Sequence, residues 1–169
     1  MVLNMIIYTD GSCLGNGKAV NCGGFGVVVL DNDEKLVYNY NKRCENTTNN
    51  REELKAILYS FLNYGVNINN NPLLGFNNID IPIVYSDSNY CVQTFNEWMF
   101  SWARNGWVKS DKQPPENLDL IQAYYDWYQK GYRIDLRKVK GHNGNKWNEV
   151  ADQLATGKIT PEEVNKIYG

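Results

Sequence analysis

Asp10, Glu53, Asp87 and Asp152 are acids placed where regular structure meets a turn. Asp10 closes the apolar run Met5-Ile6-Ile7-Tyr8-Thr9 and is followed at once by Gly11-Ser12, with Gly11 free to turn the backbone away. Asp87 closes a second run, Ile83-Val84-Tyr85-Ser86. Acids at the ends of two strands gather negative charge at one edge of a sheet. That is unfavourable unless a hard cation neutralises it, and carboxylate oxygens are the ligands Mg²⁺ prefers. The bland alternatives are a turn-forming Asp10 and an Asp87 that caps the next helix.

Glu52 and Glu53 compete for the second position. Asn49 reads as a helix N-cap with Glu52 three residues on, the spacing of a capping box. At about 100° per residue, Glu53 falls nearer the Leu54, Ile57, Phe61 stripe. Glu52 is therefore expected in solvent as a capping residue and Glu53 at the site. Asp152 turns away from the stripe formed by Trp147, Val150, Ala151 and Leu154, so pattern alone makes it a solvated surface acid. His142, in Gly141-His142-Asn143-Gly144, is a group that titrates near neutrality in a loop, although a lone histidine is often incidental.

The elements that must position these residues follow from periodicity. Strands are expected over 5–10, 24–30 and 36–43, the last two joined by a hairpin at Asp31-Asn32-Asp33-Glu34. Leu54, Ile57, Leu58, Phe61 and Leu62 repeat at helical spacing. The Asn-rich stretch 63–78, with Pro72 and Gly75, reads as a surface loop. A fourth strand ends at Asp87. Helices are expected over 88–94, 97–103 and 117–130, with Pro114-Pro115 before the last. A fifth strand over 133–139 precedes a glycine-rich loop and a helix over 146–155. Thr160-Pro161-Glu162-Glu163 opens a short capped helix. Strands first, then alternating helices and strands, make an α/β protein with one mixed sheet covered by helices, a single domain over 1–169.

A chain of 169 residues that is 43% hydrophobic can bury a core of its own. It has no apolar run long enough for a membrane span and no secretory leader, so a cytoplasmic monomer that avoids membranes is expected. Four cysteines without CxxC pairing, and one histidine, count against a zinc site by spacing and fit free thiols in a reducing cytosol. The net charge of −2 counts against a strongly basic nucleic-acid binder and leaves any such binding to local patches.

Thr9-Asp10-Gly11-Ser12-Cys13-Leu14-Gly15-Asn16, Thr47-Thr48-Asn49-Asn50-Arg51-Glu52-Glu53-Leu54 and Ser86-Asp87-Ser88 resemble, in order, three motif blocks of the ribonuclease H type 1 family. Val139-Lys140-Gly141-His142, followed by Val150-Ala151-Asp152-Gln153-Leu154-Ala155, is similar to its fourth. The likeness runs from about Met5 to Ala155. It implies a ribonuclease H-like fold, with a five-stranded mixed sheet flanked by helices. It also implies endonucleolytic hydrolysis of the RNA strand of RNA·DNA hybrids, as in primer removal during DNA replication, giving 5′-phosphate and 3′-hydroxyl ends. Asp10 would bridge two Mg²⁺ ions (or Mn²⁺), Glu53 and Asp87 would complete one site, and Asp152 the other. One ion would activate water and the other stabilise the leaving oxygen. His142 would assist proton transfer or product departure.

The resemblance also supplies candidates for feeling the 2′-hydroxyl in the hybrid's shallow minor groove: Gly11, Ser12, Cys13, Asn16, Thr48, Asn49, Asn50 and Asn89. Asn89 stands where many family members carry Gln. The segment with Trp98, Trp102 and Trp107 falls at the family's substrate-binding protrusion, and plain helix packing is the alternative. Here Arg104, Lys109 and Lys112 are offset by Glu97, Asp111 and Glu116. Weak hybrid binding with a shallow salt dependence is therefore expected. Three rivals remain: a junction resolvase on the same fold, a non-catalytic hybrid-binding module, and a reverse-transcriptase fragment. The chain begins at Met1 and is expected to be complete, without the family's separate N-terminal hybrid-binding domain.

Overall fold

The computed structural model describes residues 5–18, 21–70, 81–139 and 145–169. Three antiparallel strands come first: β1 (Ile6–Leu14), β2 (Cys22–Leu30) and β3 (Leu36–Glu45). Helix α1 (Asn49–Tyr64), the short β4 (Val66–Asn67) and β5 (Ile83–Ser86) follow. Next come α2 (Asn89–Gln93), a π turn (Thr94–Trp98), α3 (Met99–Arg104) and α4 (Leu118–Gln129). The chain closes with β6 (Tyr132–Arg133), β7 (Asp135–Lys138), α5 (Lys146–Thr156) and α6 (Pro161–Tyr168).

The main sheet has five strands in the order β3-β2-β1-β5-β7, with β4 and β6 forming a separate ribbon. β1 pairs antiparallel with β2 and parallel with β5. Alternation along β1 sends its residues to opposite faces. Ile7, with Val27, Val29, Val84 and Leu136, packs against Leu54, Ile57 and Phe61 of α1, Phe95 of the π turn, Met99 of α3 and Ile121 of α4. Tyr8, with Val28 and Leu30, packs against Trp147, Val150 and Leu154 of α5 and Val164 of α6. The α6 helix opens with the expected Thr160 cap, which the structure extends to a capping box with Glu163.

Several boundaries differ from the sequence reading. β1 does not stop at Asp10 but runs on to Leu14, paired with β2 down to Leu14↔Cys22, so Asp10 lies inside a strand and Gly11 makes no turn there. The helices expected over 88–94 and 97–103 are continuous through the π turn, where Thr94 Oγ1 donates to Tyr90 O (2.7 Å). The strand expected over 133–139 is two pieces, because Tyr132–Arg133 pairs with Val66–Asn67 while Asp135–Lys138 joins the main sheet. The Asn-rich stretch is helical to Tyr64 and then extended at Val66–Asn67; residues 71–80 lie outside the described residues. All four cysteines are free. Among the described residues no helix is long and apolar enough to cross a membrane.

Candidate active site

The ladder between β1 and β5 ends at Tyr8↔Tyr85, while β1 continues beside β2 alone. This leaves a notch in the sheet beside Asp10, at the carboxyl end of β5, where its parallel partner β1 runs on. Open α/β sheets characteristically bind ligands at such ends, where the strand order reverses. Asp87 follows β5 directly and flanks the notch. Asp10 pairs with Gly26 on the α5 side of the sheet. A Cβ on Gly26 would collide with Ala151 O and lie 2.7 Å from Leu154 Cβ, so α5 settles close and carries Asp152 to Asp10. Across the sheet, a Cβ on Gly11 would collide with Glu53 N and lie 2.7 Å from Glu53 Cα. Gly11 thus serves the close approach of α1, not a turn.

Asp10 is 3% exposed and Glu53 8% exposed. The carboxylates of Asp10, Glu53 and Asp87 each place an oxygen within 4.8 Å of the others. Asp10 Oδ1 accepts the Gly11 N–H (2.9 Å), and Glu53 Oε2 is buried with no hydrogen-bond partner. Burial pushes the Asp10 carboxyl up to about 8; a hydrogen bond with Glu53 works against this, and the Asp87 and Asp152 charges add to it. Glu53 is raised well above its ordinary value, first by burial and then by Asp10. Asp152 is half-buried and contacts Asp10, not solvated surface as the helical wheel suggested. Crowded acids with an orphaned buried oxygen, and no nitrogen or sulfur ligand among them, suit a hard divalent cation. His142 lies outside the described residues.

The second block departs most from expectation. Thr48, not Asn49, is the N-cap, its side chain accepting from Arg51 N. Glu52 is 0% exposed. Its Oε2 accepts from Thr47 Oγ1 (2.6 Å) and pairs with Lys55 Nζ (2.7 Å). The wheel failed because the first turn of α1 lies close over two strands, a Cβ on Gly23 of β2 falling 3.3 Å from Glu52 Cγ and one on Gly11 of β1 2.7 Å from Glu53 Cα, so two adjacent glutamates are both buried. Asn49 and Asn50 are exposed, and Asn49 N donates to Asn16 Oδ1 (3.0 Å), tying the β1–β2 turn to α1. Cys13 Sγ points inward to Thr47 O (3.4 Å), so its side chain is turned away from any groove. Ser12 is half-buried, and Asn89 is exposed at the start of α2.

Beside the acids runs a groove of about 870 Å³ lined by Asn50, Tyr90, Trp98, Trp102, Lys109 and Glu116, among others. Trp98 and Trp102 pack on each other (6.1 Å between ring centroids) at its wall. Trp107 instead meets Tyr125 of α4 edge-on at 5.2 Å. Tyr90 carries no signal in the sequence motifs, and Asn50 was expected only as a sugar contact. Tyr90 packs edge-on against Trp98 at 5.8 Å, the α2–π continuity that produces this being invisible in the expected break at 94–97.

A family model described as RNase H matches residues 3–160. Ribonuclease H of Thermoanaerobacter sp. (strain X514) is 38% identical over 157 residues, covering 90% of this chain and 88% of the relative. LC9-RNase H1, described as a type 1 RNase H with the type 2 active-site motif, superposes with a TM-score of 0.66 at 28% identity, over 93% of this chain and 72% of that one. A foamy viral protease–reverse transcriptase, solved in complex with RNA/DNA hybrid, has a TM-score of 0.73 at 20% identity. This likeness covers 92% of the present chain and 20% of that longer one, and speaks to the fold alone.

Proposed function

Because the chain belongs to the ribonuclease H family, type 1, we propose that it hydrolyses the RNA strand of RNA·DNA hybrids endonucleolytically, leaving 5′-phosphate and 3′-hydroxyl ends. The observation that carries this reading is the convergence of Asp10, Glu53 and Asp87 to within 4.8 Å at the sheet notch. Asp10, Glu53, Asp87 and Asp152 would hold two Mg²⁺ ions, or Mn²⁺. When bound there, these supply charge neutralisation and Lewis acidity towards the phosphodiester.

The chain's own groups divide the remaining work. Asp10 and Glu53, whose carboxyls burial raises, would be the anchoring carboxylates, the cations offsetting the charge that burial disfavours. His142 would assist proton transfer or product departure. Gly11, Ser12, Asn16, Thr48, Asn49, Asn50 and Asn89 face the sugar edges of the minor groove, with the Cys13 contribution confined to its backbone. Trp98 and Trp102 support the DNA strand along the groove, while Trp107 packs against Tyr125 of α4. The protein acts as a cytoplasmic monomer on hybrids left by replication.

The test is cleavage of end-labelled RNA·DNA, RNA·RNA and DNA·DNA duplexes with Mg²⁺ and with EDTA. Metal-dependent cutting of the hybrid alone is expected. Cutting of DNA junctions in its place would refute the assignment, as would hybrid binding without cutting.

A further inference from the structure

Glu52 is a fully buried carboxylate for which the proposed reaction has no use. One oxygen accepts from Thr47 Oγ1 at 2.6 Å and meets Lys55 Nζ at 2.7 Å; the other, Oε1, is buried without a partner. Desolvating a carboxylate and leaving half its acceptor capacity unused is costly. An apolar side chain of similar length would fill the same space at lower cost. What the carboxylate adds is a short, directional, charge-assisted bond, and Thr47 is where that bond is spent.

Thr47 is the node at which the chain leaves β3 and enters α1. Its N–H donates to Asn21 Oδ1 (2.7 Å), its carbonyl accepts the Cys13 thiol (3.4 Å), and its hydroxyl donates to Glu52. The next residue is the N-cap Thr48, and Asn49 N then donates to Asn16 Oδ1 (3.0 Å). Glu53 is placed by other means, the main-chain contact of α1 with Gly11. The two neighbouring glutamates therefore serve separate ends.

Resting on the hybrid-cleaving reading above, we infer that Glu52 is a positioning residue for substrate binding, which through Thr47 fixes the exposed Asn49–Asn50 pair in the orientation that reads the hybrid. Binding should depend on Glu52 while the chemical step does not.

The experiment is steady-state hybrid cleavage, with Mg²⁺ titration and thermal unfolding, for the wild-type chain and for Glu52→Leu, Glu52→Gln and Thr47→Val. Glu52→Leu and Thr47→Val should each raise KM about tenfold, with kcat and the Mg²⁺ midpoint within about twofold of wild type. Glu52→Gln keeps an acceptor for the Thr47 hydroxyl and should restore KM to within about threefold. Thr47→Val is nearly isosteric and carries the test if Glu52→Leu does not fold. An unchanged KM in Thr47→Val overturns the inference. So does a fall in kcat together with a shifted Mg²⁺ midpoint, which would make Glu52 a support for Glu53. A wild-type chain that does not cut hybrid would instead overturn the functional reading beneath it.

Discussion

Replacing Asp10 by Asn should stabilise the metal-free protein, and by an amount that grows with pH. Asp10 is buried against three further acids and its carboxyl is pushed from 3.8 to about 8. An acid whose folded pKa is raised holds a proton in the folded state that the unfolded chain has already lost. Below 3.8 both states are protonated and nothing is at stake. Between 3.8 and about 8 stability falls as pH rises, and above about 8 the full penalty of the buried charge is present. The interval is roughly four units at about 1.36 kcal/mol each, an upper bound of about 5–6 kcal/mol. Asp87 and Asp152 are half-buried, so water reaches the mouth of the cluster and screens part of this, leaving about 2–3 kcal/mol. Asn never ionises and escapes the penalty. Thermal unfolding in EDTA from pH 4 to pH 9 should show the two proteins alike near pH 4. The variant should melt roughly 5–10 °C higher near pH 9. Added Mg²⁺ should then raise the wild-type midpoint and leave the variant almost unmoved. A difference that is constant across pH, or a variant less stable at pH 9, would refute the reasoning.

Three further outcomes follow from contacts described above. Gly26→Ala forces a Cβ against Ala151 O and the α5 backbone, and should cost about 3 kcal/mol in urea unfolding. Lys55→Met leaves the Glu52 charge buried without its counter-ion and should cost about 3 kcal/mol at neutral pH, a loss that shrinks in Lys55→Met combined with Glu52→Gln when measured as a double-mutant cycle. Hybrid binding in Ca²⁺ should weaken only gently with salt, because Lys109 and Lys112 face Asp111 and Glu116 around the groove; a logarithmic slope as steep as about −5 would contradict this.

The strand pattern, the hairpin at Asp31–Glu34 and the capped C-terminal helix were legible because each depends on local periodicity or turn chemistry. The acids were legible as a set, and Asp10, Glu53 and Asp87 do converge. What escaped was set by tertiary contact. Glu52 was assigned to solvent because a helical wheel presumes one wet face, whereas α1 has Glu52, Leu58 and Ser60 buried as well as its apolar stripe. By the wheel alone Asp152 falls on the surface for the same reason, and only the family resemblance puts it at the site, since the Gly26 contact that draws α5 in lies far off in sequence. β1 was cut short at Asp10 because a charged residue and a glycine look like an ending; only pairing with β2 shows that the strand goes on.

Gly11 and Gly26 place α1 and α5 against opposite faces of the sheet through main-chain contact. Each helix therefore has a fulcrum within a few residues of its acid: Glu53 at the Gly11 contact, Asp152 beside Ala151 at the Gly26 contact. Changes in core volume further along, at Phe61 or Leu58 on one side or at Trp147 on the other, will tilt a helix about that fulcrum and leave the span between the acids nearly fixed. The core is thus free to drift in sequence while the spacing of the acids is inherited from the backbone, and the two glycines are the positions at which that freedom ends.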